Sequence, residues 1–343
     1  MNLDKIIIWG HELHNHTHSY IHNAFYKTFK YLNYNVYWFN EDGDNNYPDN
    51  TNNTKIDFNN ALYIVHGLES ENLPLNNTSF YIGHNVEWTG TEFKIPKSHV
   101  LMNSEKGIPH QNIMTLQVYT KECLNYKSYK NIKYHIYVED GSCIFMPWGT
   151  DLLPYEIDNN IKQIKKFNIK NISNFIGMPL IQWDIFSKEC KKHNIEYKNY
   201  GGTFDKTSKR NKSIQENMEL IQESILAPAL QTDWQIDNHY IPCRIFKNIS
   251  YGKMGMTNNE AVYNLFNKKM LYSNDIPKLV KQGLEFDKKE NKFDKIKELM
   301  IEVRDNHTYI NRIHFILDFI KEKKNIIVKK DNSAQDLLNI FNK

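Results

Sequence analysis

Arginine is scarce in this 343-residue chain: Arg210, Arg244, Arg304 and Arg312 are the only four among 43 basic side chains. Alanine occurs six times, whereas asparagine occurs 44 times. This is the residue usage of an AT-rich coding sequence. Asparagine is therefore a weak turn signal here, and each arginine carries more weight. Cysteine is also rare. Cys123, Cys143, Cys190 and Cys243 are scattered without metal-type spacing, which suits a reducing, cytoplasmic compartment. No apolar run approaches the roughly 18–20 residues of a membrane span. Residues 5–9 are apolar, but charged and histidine-rich chain follows at once, unlike a signal peptide. A strong surplus of one charge is missing too. A net charge of +3 gives no electrostatic case for a nucleic-acid partner, and none is expected.

What is present is enough apolar surface for a core. Hydrophobic residues make up 40 % and aromatics 13 %, which excludes wholesale disorder. The length fits two domains of about 100–200 residues each. Residues 5–9 read as a buried strand closed by Gly10, and 20–32 as an amphipathic helix carrying Ile21, Phe25, Phe29 and Leu32. Short apolar runs recur at 36–39, 61–65, 80–82, 99–102, 113–118 and 143–146. After a Pro/Gly break at residues 146–151 the pattern restarts, with strands at 172–177, 195–200 and 224–230 and helices at 159–166, 184–193, 214–220, 244–250, 260–266, 276–282 and 293–304. A last helix covers 306–323. Strands alternating with helices predict an α/β protein with parallel sheets. The expected division is a domain over 1–150, a second over 151–305 and a helical segment over 306–343 packing back on the first. Two such sheets facing across a cleft would bind ligand there, at the carboxyl ends of the strands.

Four segments carry a family resemblance. Phe145-Met-Pro-Trp-Gly-Thr-Asp151 resembles the interdomain Pro-x-Gly-x-Asp segment of glycosyltransferases of the GT-B architecture, which has two Rossmann-like domains. Phe175-Ile-Gly177 resembles the strand opening their donor domain. Arg244-Ile-Phe-Lys-Asn-Ile-Ser-Tyr-Gly252 is similar to the Arg-x-Phe-Glu-x4-Gly helix of a group-1, spore-maturation-like subset. Asn306-His-Thr-Tyr-Ile-Asn-Arg312 is similar to that subset's His-Thr-Tyr-x-x-Arg signature. The resemblance covers residues 143–320, and the first half matches only in its strand-loop-helix layout. There is a departure: His239 and Lys247 stand where many retaining members carry two Glu. A lysine cannot accept a ribose hydrogen bond but can neutralise a phosphate.

The resemblance implies transfer of a sugar from a nucleotide-sugar donor, which is a substrate and not a cofactor, to a glycan, protein or small-molecule acceptor, without a metal. It places Gly177, Arg244, Lys247, Tyr251, Gly252 and Asn258 on the donor. Arg244 opens its helix, where backbone N–H groups and the macrodipole also favour an anion. Arg304 and Arg312 are read as structural anchors, and Arg210 as part of a solvated basic run. The loop His11-Glu-Leu-His-Asn-His-Thr-His18 follows a strand and precedes a helix. An inverting transfer needs a base for the acceptor hydroxyl, and His11, Glu12 and His16 are candidates, with Glu87 after a later strand as an alternative. The loop lacks the His-Glu-x-x-His spacing, so no metal is expected. Two alternatives stay open: a catalytically silent scaffold that binds nucleotide or glycan, and a metal-dependent hydrolase built on residues 11–18.

Overall fold

The computed structural model describes residues 1–40, 42–43, 56–66, 72–84, 110–119, 126–132, 135–178, 180–201 and 212–331. The chain forms two units. Unit 1 is Met1–Met146 with the chain from Arg312 onward, and unit 2 is Pro147–Asn311.

Unit 1 is built on an eight-stranded sheet. Outside it, strand β1 (Asn2–Leu3) pairs in parallel with Ile327–Val328. The sheet holds β2 (Lys5–Trp9), β3 (Val36–Phe39), β4 (Ala61–His66), β5 (Phe80–His84), β6 (Ile113–Gln117), β7 (Tyr126–Ser128), β8 (Ile136–Val138) and β9 (Cys143–Phe145). Their order is β3-β2-β4-β5-β6-β9-β8-β7, parallel except where β8 pairs with β7 and β9. β2 is buried along its whole length, as a parallel strand covered on both faces must be. Alternation along the strands sends Ile7 and Trp9 into one cluster with Tyr63, Val65 and Tyr81. The helix Ser19–Tyr31 buries Ile21, Phe25 and Phe29 at intervals of four, and it packs on β2 and β3. The chain leaves β2 for β3 on one side, then returns to place β4 on the other. The order reverses between β2 and β4, and such a switch point opens a crevice beyond the carboxyl ends of the strands.

The helix Tyr309–Lys324 buries Ile313, Ile316, Phe319 and Ile320. Arg312 is 1 % exposed. Phe315 stacks on His135 at 4.2 Å between centroids. Burial, and then the Arg312 charge, push the His135 pKa down to about 3.

Unit 2 repeats the parallel scheme with shorter strands. β10 (Ile172–Phe175) pairs with β11 (Glu196–Asn199), and β12 (Met256–Thr257) with β13 (Leu271–Tyr272). The expected strand 224–230 lies between the pairs as extended chain, joined through isolated bridges Lys170↔Ser224 and Ala229↔Thr257. Pro228 inside it has no N–H to give to a ladder. The order across unit 2 is thus β11, β10, segment 224–229, β12, β13, reversing beside β10. Phe175, Trp183, Phe186, Leu226 and Met256 share one core cluster. The helix expected at 159–166 starts earlier, at Pro154, because proline fits the first helical position.

Lys253 is buried in unit 2 and donates its ammonium to the Ser224 carbonyl. Burial pushes its pKa down to about 7. A lysine released on unfolding titrates near 10.4. The burial cost is therefore full below about pH 7 and fades as pH rises towards the unfolded value. Lys253→Met should melt higher than the wild type at pH 6. The gap should narrow above pH 7 by at most about 1.4 kcal/mol per pH unit. Melting curves across pH 6–10 measure it, and a gap that widens with pH would contradict the assignment.

Candidate functional site

Two groups of side chains occupy the switch points. In unit 2, Gly177 lies two residues beyond the end of β10, and the guanidinium of Arg244 reaches it from the helix Cys243–Ser250. The guanidinium carbon lies 4.5 Å above the Phe175 ring and 5.6 Å from the Trp183 ring, a cation–π platform. Phe175 and Trp183 themselves stack at 3.6 Å. One Arg244 nitrogen is 3.5 Å from the Ile176 carbonyl, a long contact. Gly177 has φ +147°, and a Cβ there would sit 2.5 Å from the Arg244 nitrogen. A Cβ on Gly201, beyond β11, would fall 1.9 Å from the Gly177 carbonyl oxygen. Backbone thus packs on backbone beside the arginine, which needs glycine on both turns. Pro242 at the N-cap offers no side-chain acceptor to the first turn of the helix. Burial lowers the pKa of Arg244, although a guanidinium keeps its charge.

One turn along the helix, Lys247 meets Asp151 at 2.8 Å, and the Tyr251 hydroxyl donates to the same carboxylate at 2.7 Å. Asp151 is buried, while the Lys247 side chain is 22 % exposed. Burial, then Asp151, raises the Tyr251 pKa well above its ordinary value. The segments 145–151 and 244–252 are therefore tied together through Asp151. Gly252 ends the helix with φ +97°. Its N–H donates to Ile249 and that of Lys253 to Asn248, the two bonds of a Schellman cap. A Cβ on Gly252 would strike Phe167 at 2.7 Å, so this glycine faces the interior. Asn258 is buried and turned inward as well. Its amide exchanges two hydrogen bonds, 2.9 and 2.8 Å, with the backbone of Gln231. Of the six residues placed on the donor by sequence, the structure brings Gly177 and Arg244 together. It gathers Lys247 and Tyr251 on Asp151, and it gives Gly252 and Asn258 structural contacts.

In unit 1 the loop after β2 brings histidines to the switch point. His11 follows β2, and His66 ends β4 on the other side of the reversal. Their ring centroids are 4.5 Å apart. His16 lies 4.1 Å from His11 and 5.4 Å from His66. One ring nitrogen from each of these three residues falls within 4.8 Å of the other two, and all three are partly exposed. His18 joins from behind, its Nδ1 3.2 Å from His16 Nδ1. Deeper still, His22 and His84 share a 2.9 Å contact between their Nε2 atoms, which needs one proton between them. Gly10 makes room for this pair, since a Cβ there would lie 2.2 Å from the His22 ring. Burial, reinforced by the neighbouring imidazoles, pushes His18 to about 2 and His66 to about 3, and His22 and His84 well below their usual range. His11 is lowered by burial. His14 stands apart, its Nδ1 3.1 Å from the Tyr20 hydroxyl. Glu12 is exposed and accepts from Asn15.

Glu87 and Arg210 lie outside the described residues. Arg304 holds Asp158 at 2.7 Å. Sequence reading missed His66 and His22, and it missed Trp183 beneath Arg244. The usable signal was position: His66 and His84 are the polar last residues of buried parallel strands, where such sheets place their ligand groups.

No family model and no curated protein matches this chain. Solved structures do. An alpha-glucosyltransferase in complex with UDP superposes with a TM-score of 0.53 at 8 % identity, over 92 % of this chain and 99 % of its own. An alpha-glucosyltransferase with UDP and a 13-mer DNA containing an A:G mismatch gives 0.55, also at 8 % identity, over 92 % and 99 %. A third, with UDP and a 13-mer DNA containing an HMU base, gives 0.52 at 8 % identity, over 91 % and 99 %. The likeness is one of fold, and it makes the architecture GT-B, two Rossmann-like units. It also corrects the sequence argument against nucleic acid, because two of these structures hold DNA on this same fold. A net charge summed over 343 residues says nothing of where charge is concentrated, so a value of +3 was no ground for exclusion. Among the described residues, no helix is long and apolar enough to cross a membrane.

Proposed function

We propose that this chain is a glycosyltransferase that draws its sugar from a nucleotide-sugar donor, UDP-glucose being the first to test, bound by unit 2. One observation carries the reading. Arg244 stands at the unit-2 switch point over the Phe175–Trp183 stack, beside the bare backbone of Gly177 and Gly201. A fixed planar cation next to glycine backbone and an uncapped helix start suits a departing diphosphate. The fold is the one in which the alpha-glucosyltransferases above hold UDP. Lys247, paired with Asp151, positions the helix and leaves the anion to Arg244. The donor is a substrate, and the diphosphate charge is met by the side chain and helix start without a cofactor. The acceptor offers a hydroxyl. A glycan, protein or small molecule fits, and so does a nucleic acid, as in the DNA-bound structures of the same fold. For the proton that hydroxyl gives up, Glu12 is the solvent-facing carboxylate of the histidine loop.

A thermal-shift panel of nucleotides and nucleotide sugars tests donor binding, since a ligand that binds only the folded chain must stabilise it. UDP-glucose at about 100 times its dissociation constant should add about 2.7 kcal/mol. A panel with no shift at millimolar concentration would remove the proposal.

A further inference from the structure

We propose that His11, His16 and His66 form a binding site for one divalent transition metal, zinc first, at the switch point of unit 1. Residues 11–18 alone leave a metal only as an alternative, because they lack the His-Glu-x-x-His spacing. The fold supplies the missing ligand from β4, some fifty residues further on. Three imidazoles from two loop positions and one strand end converge, with a ring nitrogen of each within 4.8 Å of the others. Tetrahedral zinc with Zn–N bonds of about 2.0–2.1 Å sets its ligand atoms about 3.4 Å apart. The ring nitrogens must close by at most about 1.4 Å, and two of the three ride on the loop between β2 and the helix Ser19–Tyr31. His66 gives the fixed wall, at the end of a strand flanked on both sides.

The ligand chemistry selects the metal class. All three donors are imidazole nitrogens, which suit zinc, copper and nickel and not magnesium or calcium. A metal binds its histidines through deprotonated ring nitrogens, and each of the three rings turns one such nitrogen toward the other two. The partial exposure of the three rings leaves an entry path and an open coordination position, which in a three-histidine zinc site takes water or a substrate oxygen. His18, in contact with His16 at 3.2 Å, braces one ligand from the interior side. The inference does not depend on the donor reading, which concerns other residues in unit 2.

The full chain, stripped with chelator and dialysed, is titrated with Co2+ and then Zn2+. Cobalt d–d absorption reports coordination by nitrogen, and elemental analysis gives the stoichiometry. One metal per chain is expected, with zinc displacing cobalt. His16→Gln and His66→Ala should each weaken binding by at least about 10- to 100-fold, the loss seen when even a residue that only supports a ligand is removed. His14→Gln, in the same loop but bonded to Tyr20, should bind as the wild type does. Circular dichroism shows which variants are folded, and His16→Gln, on the partly exposed loop, keeps the test valid if His66→Ala unfolds. Absence of saturable one-to-one binding, or binding unchanged in folded His16→Gln, would overturn the site. Failure of UDP-glucose to bind while cobalt still binds would count against the donor proposal alone.

Discussion

Arg244→Ala should weaken UDP and UDP-glucose binding by about 10- to 100-fold, or about 1.4–2.8 kcal/mol, while the melting temperature moves little. The size follows from the place of the side chain. A charge-assisted hydrogen bond contributes about 1.5–3 kcal/mol, and a guanidinium offers a diphosphate two parallel ones. The fold itself draws less from Arg244. Among the described residues its contacts are the aromatic faces of Phe175 and Trp183, the backbone at Gly177 and one long approach to the Ile176 carbonyl. Arg244→Lys should recover only part of the affinity, since a point charge replaces a planar fork. Calorimetric titration of the three proteins decides it. Equal affinity in wild type and Arg244→Ala would place the donor elsewhere.

Asp151→Ala should cost about 3 kcal/mol of folding stability, the low end of the range for breaking a buried ion pair. The carboxylate is 5 % exposed and receives both Lys247 and the Tyr251 hydroxyl. Its removal leaves a buried phenol without its acceptor and a cation with a poorer one. Partial exposure of Lys247 lets water recover some of that loss, which sets the estimate below the upper figures. Asp151→Asn should lie between, keeping the acceptor for Tyr251 and losing the charge. Urea unfolding of both variants measures the difference. A loss under about 0.5 kcal/mol for Asp151→Ala, the scale of ordinary surface substitutions, would show that the link between the two segments is not structural.

Much of this architecture could be read from the chain because buried parallel strands advertise themselves. Lys5–Trp9 and Ala61–His66 are apolar runs of strand length, and the helix Ser19–Tyr31 shows its stripe at intervals of four. Arg244 was conspicuous because arginine is so rare here. What could not be read was side-chain direction. Gly252 and Asn258 sit in segments shaped like donor loops, yet one packs on Phe167 and the other clamps Gln231. Whether a polar residue after a strand faces outward or inward depends on contacts from far along the chain. The histidine group failed to appear for the same reason. Residues 11–18 announce four histidines, of which His14 turns away to Tyr20, while the partners His66 and His84 arrive only through strand order. The extended segment 224–229 was mistaken for a ladder strand because its apolar run outweighed a single proline.

The central claim is that this fold, with Arg244 at its unit-2 switch point, turns over a nucleotide sugar. The most direct measurement is release of UDP from UDP-glucose by the purified full chain, with and without a hydroxyl-bearing acceptor such as a sugar or DNA. The account predicts UDP release above the spontaneous rate, lost in Arg244→Ala. No UDP release under any of these conditions, together with no nucleotide binding at millimolar concentration, would contradict it.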